Sequence, residues 1–287
     1  MSEWLVILLY GIVQGSLYTL VALGVTLTFG VTHILNFAHG EFVTIAAFAL
    51  ILLAPEWGIV PAIGTSIVIV AVIAAVVYTV GFRRTMGNHL QGLALSLGLL
   101  LFIENLMVRE FSTNPRRGPR VDGFVDLWGG DRISVARLIV IGVTAALVAA
   151  LYLGLKRSWM GIALRSCGDD ELAAATIGLP ARRVGLYAFV VSALVAAVAG
   201  FSIASVTPVT PSTGVDYLFK AFVVVIIGGL GSAPGALLAA MLLGILEAFG
   251  ARYIDPGLTN VYGFVLMIVV LLIAPQGLMN RRVARAG

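Results

Sequence analysis

The sequence predicts an all-α protein: a polytopic transmembrane helix bundle of about eight spans, with one or two broken helices. Three observations predict it. The 287-residue chain is 60% hydrophobic and 11% charged, against about 25% charged in a soluble domain, and its mean hydropathy is +1.05. The apolar residues come in runs of about 17–27, the length that crosses a hydrocarbon core of about 30 Å. Polar residues gather between the runs, leaving little room for a separate soluble domain, so residues 1–287 read as one transmembrane unit.

The first run, Trp4 to about Val31, is broken by Gly11, Gly15, Gly24 and Gly30, spacings that permit close helix contact or a kink. It has no basic leader and no small-residue cleavage site, so it reads as a retained span. Gln14 and Tyr18 lie one turn apart, either as an interhelical hydrogen bond or as a polar stripe on a translocation path. A polar hinge from Thr32 to Glu41 then opens the second run, which ends at Ala54. His33 and His39 are six apart and fall on different helical faces, so no metal site is predicted. Asn36 and Glu41 are expected to satisfy backbone groups where the helix is interrupted, because lipid offers no partners.

The third span is Pro61 to Gly81, stopped by Arg83 and Arg84, and the fourth is Leu90 to Val108. Glu104 and Asn105 near its end are costly against lipid and are expected to face protein or water. Residues 109–133 hold Pro, Gly and Asn without helical period, which marks a loop able to hold a short hairpin. Ser134 to Leu155 is the fifth span and the Ala-rich Val184 to Val206 the sixth. Two prolines prevent Thr207 to Gly214 from continuing that helix. The apolar stretch from Tyr217 to Gly250 is split at Gly228 to Gly235, and its first half, short for a span, is expected to be discontinuous or re-entrant. Leu258 to Ala274 closes the set, ahead of a basic tail with Arg281, Arg282 and Arg285.

One interruption differs from the rest. Residues 156–183 are too charged to lie in the bilayer, where one unpaired charge costs about 2.5–3.5 kcal/mol. Asp169, Asp170 and Glu171 precede Leu172 to Ala175, an order that suits the helix dipole, and Gly178 with Pro180 stops the helix. At about 100° per residue, Glu171, Ala174 or Ala175, and Gly178 share a face of small residues. Spacing alone fits both a docking helix for a water-soluble partner and an ordinary solvated loop helix.

The stretch GIALRSCGDDELAAATIGLPARRV resembles the cytoplasmic coupling segment of ABC-importer permeases of the branched-chain amino acid type. Met160-Gly161, Arg165-Ser166-Cys167, Asp169-Asp170 and Gly178-Leu179 carry the likeness. Ile34 to Phe42 resembles the Asn-Phe-Ala-His-Gly-Glu signature of that family, and Lys220 to Ala248 resembles its Gly-rich penultimate block, so the similarity spans almost the whole chain. The resemblance implies a permease in a bacterial inner membrane, a second permease subunit, usually as a heterodimer, two cytosolic ATP-binding subunits and an extracytoplasmic solute-binding protein. In that frame Gly161, Arg165, Asp170, Glu171, Ala174 and Gly178 are the coupling candidates. Candidates for the path are Gln14, Asn36, Gly228, Gly229 and Gly231. Residues 109–133 become an extracytoplasmic loop, with Arg116, Arg117 and Arg120 open to acids of the binding protein. Ten of the 18 basic residues then lie inside, a weak bias, so the orientation rests on the coupling motif.

Other classes fare worse. The Gly228 to Gly235 break lacks the Lys-Ser/Thr of a phosphate loop, so the chain must borrow energy or run downhill. Gly231-Ser232 is followed by Ala233, and no histidine lies beyond His89 to act as a base; no enzyme is expected. One cysteine, Cys167, leaves no disulfide and no Cys-based metal site, and no cofactor is expected. The net charge of +4 serves topology and anionic lipid, with no nucleic-acid module. A stand-alone carrier would draw coupling groups from Glu41, Glu104, Asp216 and Glu247, yet it has no use for a docking helix. Permeases for urea and short amides share the same blocks and stay open as an alternative.

Overall fold

Helix α1 (Ser2–Thr32) runs through the bundle and packs on six other helices. Its polar side chains survive there by bonding back to the helix: Ser16, Thr19 and Thr26 hydroxyls donate to carbonyls four residues earlier at 2.7–2.8 Å. The computed structural model describes residues 2–85, 88–119, 121–126, 132–169, 171–176 and 178–279.

A linker from 33 to 38 leads to α2 (His39–Trp57). Gly58, at φ +82°, ends that helix and turns the chain into α3 (Ile59–Val77). A π-helical turn at Tyr78–Phe82 and the short α4 (Arg83–Thr85) extend the same span. Helix α5 (His89–Phe111) starts at Asn88, whose Oδ1 accepts from the Gln91 amide at 3.2 Å, a side-chain cap. The polar loop after it holds an antiparallel hairpin of β1 (Phe124–Asp126) and β2 (Arg132–Ser134).

Helix α6 (Val135–Arg157) is followed by the short α7 (Trp159–Asp169) and α8 (Glu171–Thr176). Then come α9 (Ala181–Val206), α10 (Thr213–Gly228), α11 (Ala233–Tyr253) and, after a 3₁₀ turn, α12 (Thr259–Ile273). Among the described residues, eight helical segments are long and apolar enough to cross a membrane, and α10, at 16 residues, is not one of them. At 1.5 Å per residue it reaches about 24 Å, short of the hydrocarbon thickness. The discontinuous helix expected between Tyr217 and Gly250 is therefore a 16-residue half-helix, a tight turn and a full span.

Burial sorts the spans into two shells. The most apolar windows of α1 and α9 are each 61% buried, whereas those of α6 and α12 are 11% buried. Helices α1, α2, α9, α10 and α11 form the centre, with α3, α5, α6 and α12 outside. The centre is tight because small residues let backbones approach. A Cβ on Gly15 would lie 2.9 Å from the Ala240 carbonyl oxygen of α11. The turn between α10 and α11 is closed by the chain's later residues: Leu278 and Met279 amides donate to Ile227 O (2.8 Å) and Gly228 O (3.1 Å).

Candidate functional site

Three clusters hold the residues that the sequence singles out. The first is the α7–α8 knob. Its inner face forms a small core of its own, with Ala163, Leu164, Cys167 and Ala174 packed on Val184 and Ala188 of α9. Gly168 lies against the Gly30 carbonyl near the end of α1, so the knob rests on two central helices. Gly161 packs on the Leu155 backbone, and its amide is bound by Ser158 Oγ at 3.0 Å. Arg165 is exposed, yet its Nη1 donates to Leu155 O at 2.6 Å, capping the end of α6.

Gly178 stands at φ +81°, and the Leu179 amide donates to Ala174 O at 3.1 Å, a glycine-terminated helix end as the Gly-then-Pro order predicts. The expected shared face does not form there. Ala174 is 2% exposed and turned into the knob's core, while Gly178 is exposed and already past the helix. The cause is that the helix stops at Thr176, so helical periodicity does not carry on to residue 178. Asp170 lies outside the described residues, as does the side chain of Glu171.

The second cluster sits where α1, α10 and α11 meet. Gln14 Nε2 donates to Tyr18 Oη at 2.8 Å within α1, and Tyr18 Oη donates to Glu247 of α11 at 2.5 Å. The other oxygen of Glu247 pairs with the Lys220 ammonium of α10, which also donates to Thr259 O at 2.9 Å. The ring of Tyr217 lies 5.9 Å from that of Tyr18. Lys220 and Glu247 side chains are 15% and 4% exposed, so this is a buried, fully bonded ion pair. Gln14 thus joins a network through Tyr18. Sequence reasoning noted Glu247 only as a carrier's carboxylate and passed over Lys220; a lone lysine in a long apolar run, with one acid later in it, was the available signal.

The third cluster is the Asn36–Glu41 signature. Asn36 is buried, and its Oδ1 accepts from the Ala38 amide at 3.0 Å, so it satisfies the broken backbone as expected. Glu41 does not. It is fully buried, and neither carboxylate oxygen has a hydrogen-bond partner within the protein. Glu104 of α5 is its acidic neighbour. The parallel register of the two helices agrees, since Phe48 and Phe111, each seven residues further on, have rings 5.0 Å apart. His39 is buried, with Nδ1 3.2 Å from Ser192 Oγ, whereas His33 is exposed; among the described residues no three metal-binding side chains converge.

Of the remaining path candidates, Gly228 packs on Gly235 with no room for a Cβ, and Gly229 and Gly231 take φ +99° and +82° in the turn between α10 and α11. In the polar loop, Arg116 makes a two-bond backbone bridge with Val209 (2.8 and 2.7 Å), and its guanidinium lies 5.4 Å from the Phe111 ring centre. Arg117 is exposed, and Arg120 lies outside the described residues.

Comparison with known proteins adds to this geometry. A family model described as branched-chain amino acid transport system / permease component matches residues 7–274. The chain is 32% identical to the high-affinity branched-chain amino acid transport system permease protein BraD of Pseudomonas aeruginosa, covering 96% of this chain and 95% of that one. It is 31% identical to the corresponding protein LivH of Escherichia coli, over 94% of each chain. Among solved structures it is similar to a chain of PsaBC from Streptococcus pneumoniae in complex with Fab, at a TM-score of 0.52 and 16% identity, covering 93% of this chain and 91% of that one. That last likeness concerns the fold alone.

Proposed function

Since the chain belongs to the branched-chain amino acid transport system permease family, we propose that it is a membrane subunit of an ABC importer, passing branched-chain or related amino acids across the bacterial plasma membrane. It does no bond chemistry itself. Two cytosolic ATPase subunits supply the energy, a second, related permease completes the path, and an extracytoplasmic binding protein delivers the solute over residues 109–133.

The observation that carries this reading is the α7–α8 knob, which projects from the bundle yet is seated on α1 and α9 through Gly168, Val184 and Ala188. Residues 156–183 are then the cytosolic coupling segment. Closure of the ATPases pushes the knob, and its packed inner face passes the displacement to the two most buried helices. Gly161 and Ala174 hold the knob's shape, Gly178 ends its helix, Arg165 ties it to α6, and Asp170 and Glu171 meet the ATPase. Of the path candidates, Gln14 belongs to the network around Tyr18, Asn36 shapes the entry to α2, and Gly228, Gly229 and Gly231 allow the turn on which α10 moves.

Two experiments test it. Cys167 is buried, so the exposed Thr176 is replaced instead, Thr176→Cys in a Cys167→Ala background, and treated with an impermeant thiol reagent in vesicles of known orientation. Reaction from the cytosolic face is expected; reaction from the outer face alone discards the assignment. Glu171→Arg is expected to weaken both ATPase association and leucine uptake, and normal values for both discard the docking role.

A further inference from the structure

Asp216 is an exposed carboxylate placed where a membrane protein has no lipid-facing use for one. Its depth follows from its neighbours. Gly214 donates its amide to Thr44 Oγ1 at 3.0 Å, Leu218 packs on Gly40, and the rings of Phe222 and Phe37 lie 4.8 Å apart, so α10 runs antiparallel to the first half of α2. Asp216 therefore stands level with Phe42, whose ring meets Phe189 of α9 at 5.8 Å. The next residue, Tyr217, lies against Tyr18, near the midpoint of the 31-residue α1. The first turn of α10 is thus deep within the bundle, and Asp216 is on its outer side.

Among the described residues this carboxylate has no cation. Lys220, one turn along α10, is the natural partner, but its ammonium is taken by Glu247 and Thr259 O. Among the described residues Asp216 makes no ion pair. A carboxylate at this depth faces either an aqueous path or a cationic group. Two further features sit beside it. Hydroxyls of Thr210 and Ser212, 3.2 Å apart, precede it in the linker, and Phe219, 53% exposed, lies three residues on and so on the same helical face.

We propose that Asp216 faces the translocation path and takes the α-ammonium group of the amino-acid solute, with Phe219 against the solute's aliphatic side chain. The inference rests on the importer reading above and gives that path a polar contact of stated charge. An ammonium suits the site because it supplies the missing cation, and an aromatic face one turn away suits a branched hydrocarbon chain better than a second polar group. The contact is a single charge-assisted bond, weak enough for the solute to leave.

The complete importer, with both permeases, the ATPases and the binding protein, is reconstituted in vesicles and assayed with leucine. Asp216→Asn is expected to lower the leucine moved per ATP hydrolysed about tenfold, the loss of one charge-assisted contact, and Asp216→Glu to recover much of it. In a Cys167→Ala background, Asp216→Cys is expected to react with a water-soluble cationic thiol reagent and to be protected by leucine during turnover. Equal uptake per ATP in Asp216→Asn overturns the inference. So does a thiol that reacts only with lipid-soluble reagents, or one that cross-links to a basic residue of the second permease and excludes solute. If Asp216→Asn does not assemble, the thiol pattern decides. Failure of the unaltered importer to move leucine would instead overturn the importer reading, and this inference with it.

Discussion

Gly40 and Gly214 meet backbone to backbone where α2 crosses α10, and neither leaves space for a Cβ. The crossing ties the half-helix to the signature segment. Gly40→Val or Gly214→Val is therefore expected to force the two helices apart, at about 1–3 kcal/mol or more. Gly142→Val is the control, because its position in α6 is open. Thermal unfolding in detergent checks this, with a lowered midpoint for the first two and little change for the third.

Lys220→Met strands Glu247 in a buried site, which is expected to destabilise the protein by about 3–5 kcal/mol. Replacing both residues by Met leaves no uncompensated charge and is expected to recover most of the loss. Tyr18→Phe removes only one of the bonds to Glu247 and should cost about 1 kcal/mol or somewhat more. Comparing the melting of the singles with that of the double separates ion-pair loss from general damage.

Glu41→Gln replaces a buried carboxylate that has no bonded oxygen and an acidic neighbour. An amide of nearly the same shape removes the charge while keeping the packing, so stability is expected to hold or to rise by up to about 1–3 kcal/mol. Glu41→Lys puts a cation in the same site and should abolish accumulation in the membrane. A large loss in Glu41→Gln, measured by melting at neutral pH, would show that the carboxylate itself holds the helices.

Gly178→Ala keeps the left-handed turn at a cost of about 1–2 kcal/mol. The penalty falls on the end of α8, so amide exchange at Leu179, whose hydrogen goes to Ala174 O, is expected to quicken about tenfold. Gly178→Asn, with a residue that tolerates that region, should show a smaller effect.

Most of the bundle was legible in the sequence because lipid imposes a simple rule: a run long and apolar enough to span does so. The later breaks were legible too, through the prolines at 208 and 211 and the glycines from 228 to 235. What periodicity could not supply was direction in space. Ala174 and Gly178 are four residues apart and should share a helical face, but the helix stops between them. Glu41 sits at a helix start, where an acid ordinarily caps, yet it is fully buried with neither carboxylate oxygen bonded. Lys220 and Glu247 are 27 residues apart, and only the folding back of α10 on α11 makes them a pair.

The bridge between Arg116 and Val209 means that the loop after α5 and the linker before α10 are stitched into one lever. A body settling on that loop would be joined to the strap from which the half-helix hangs by these two bonds. The loop and the centre of the bundle are in this way joined over a path two hydrogen bonds wide.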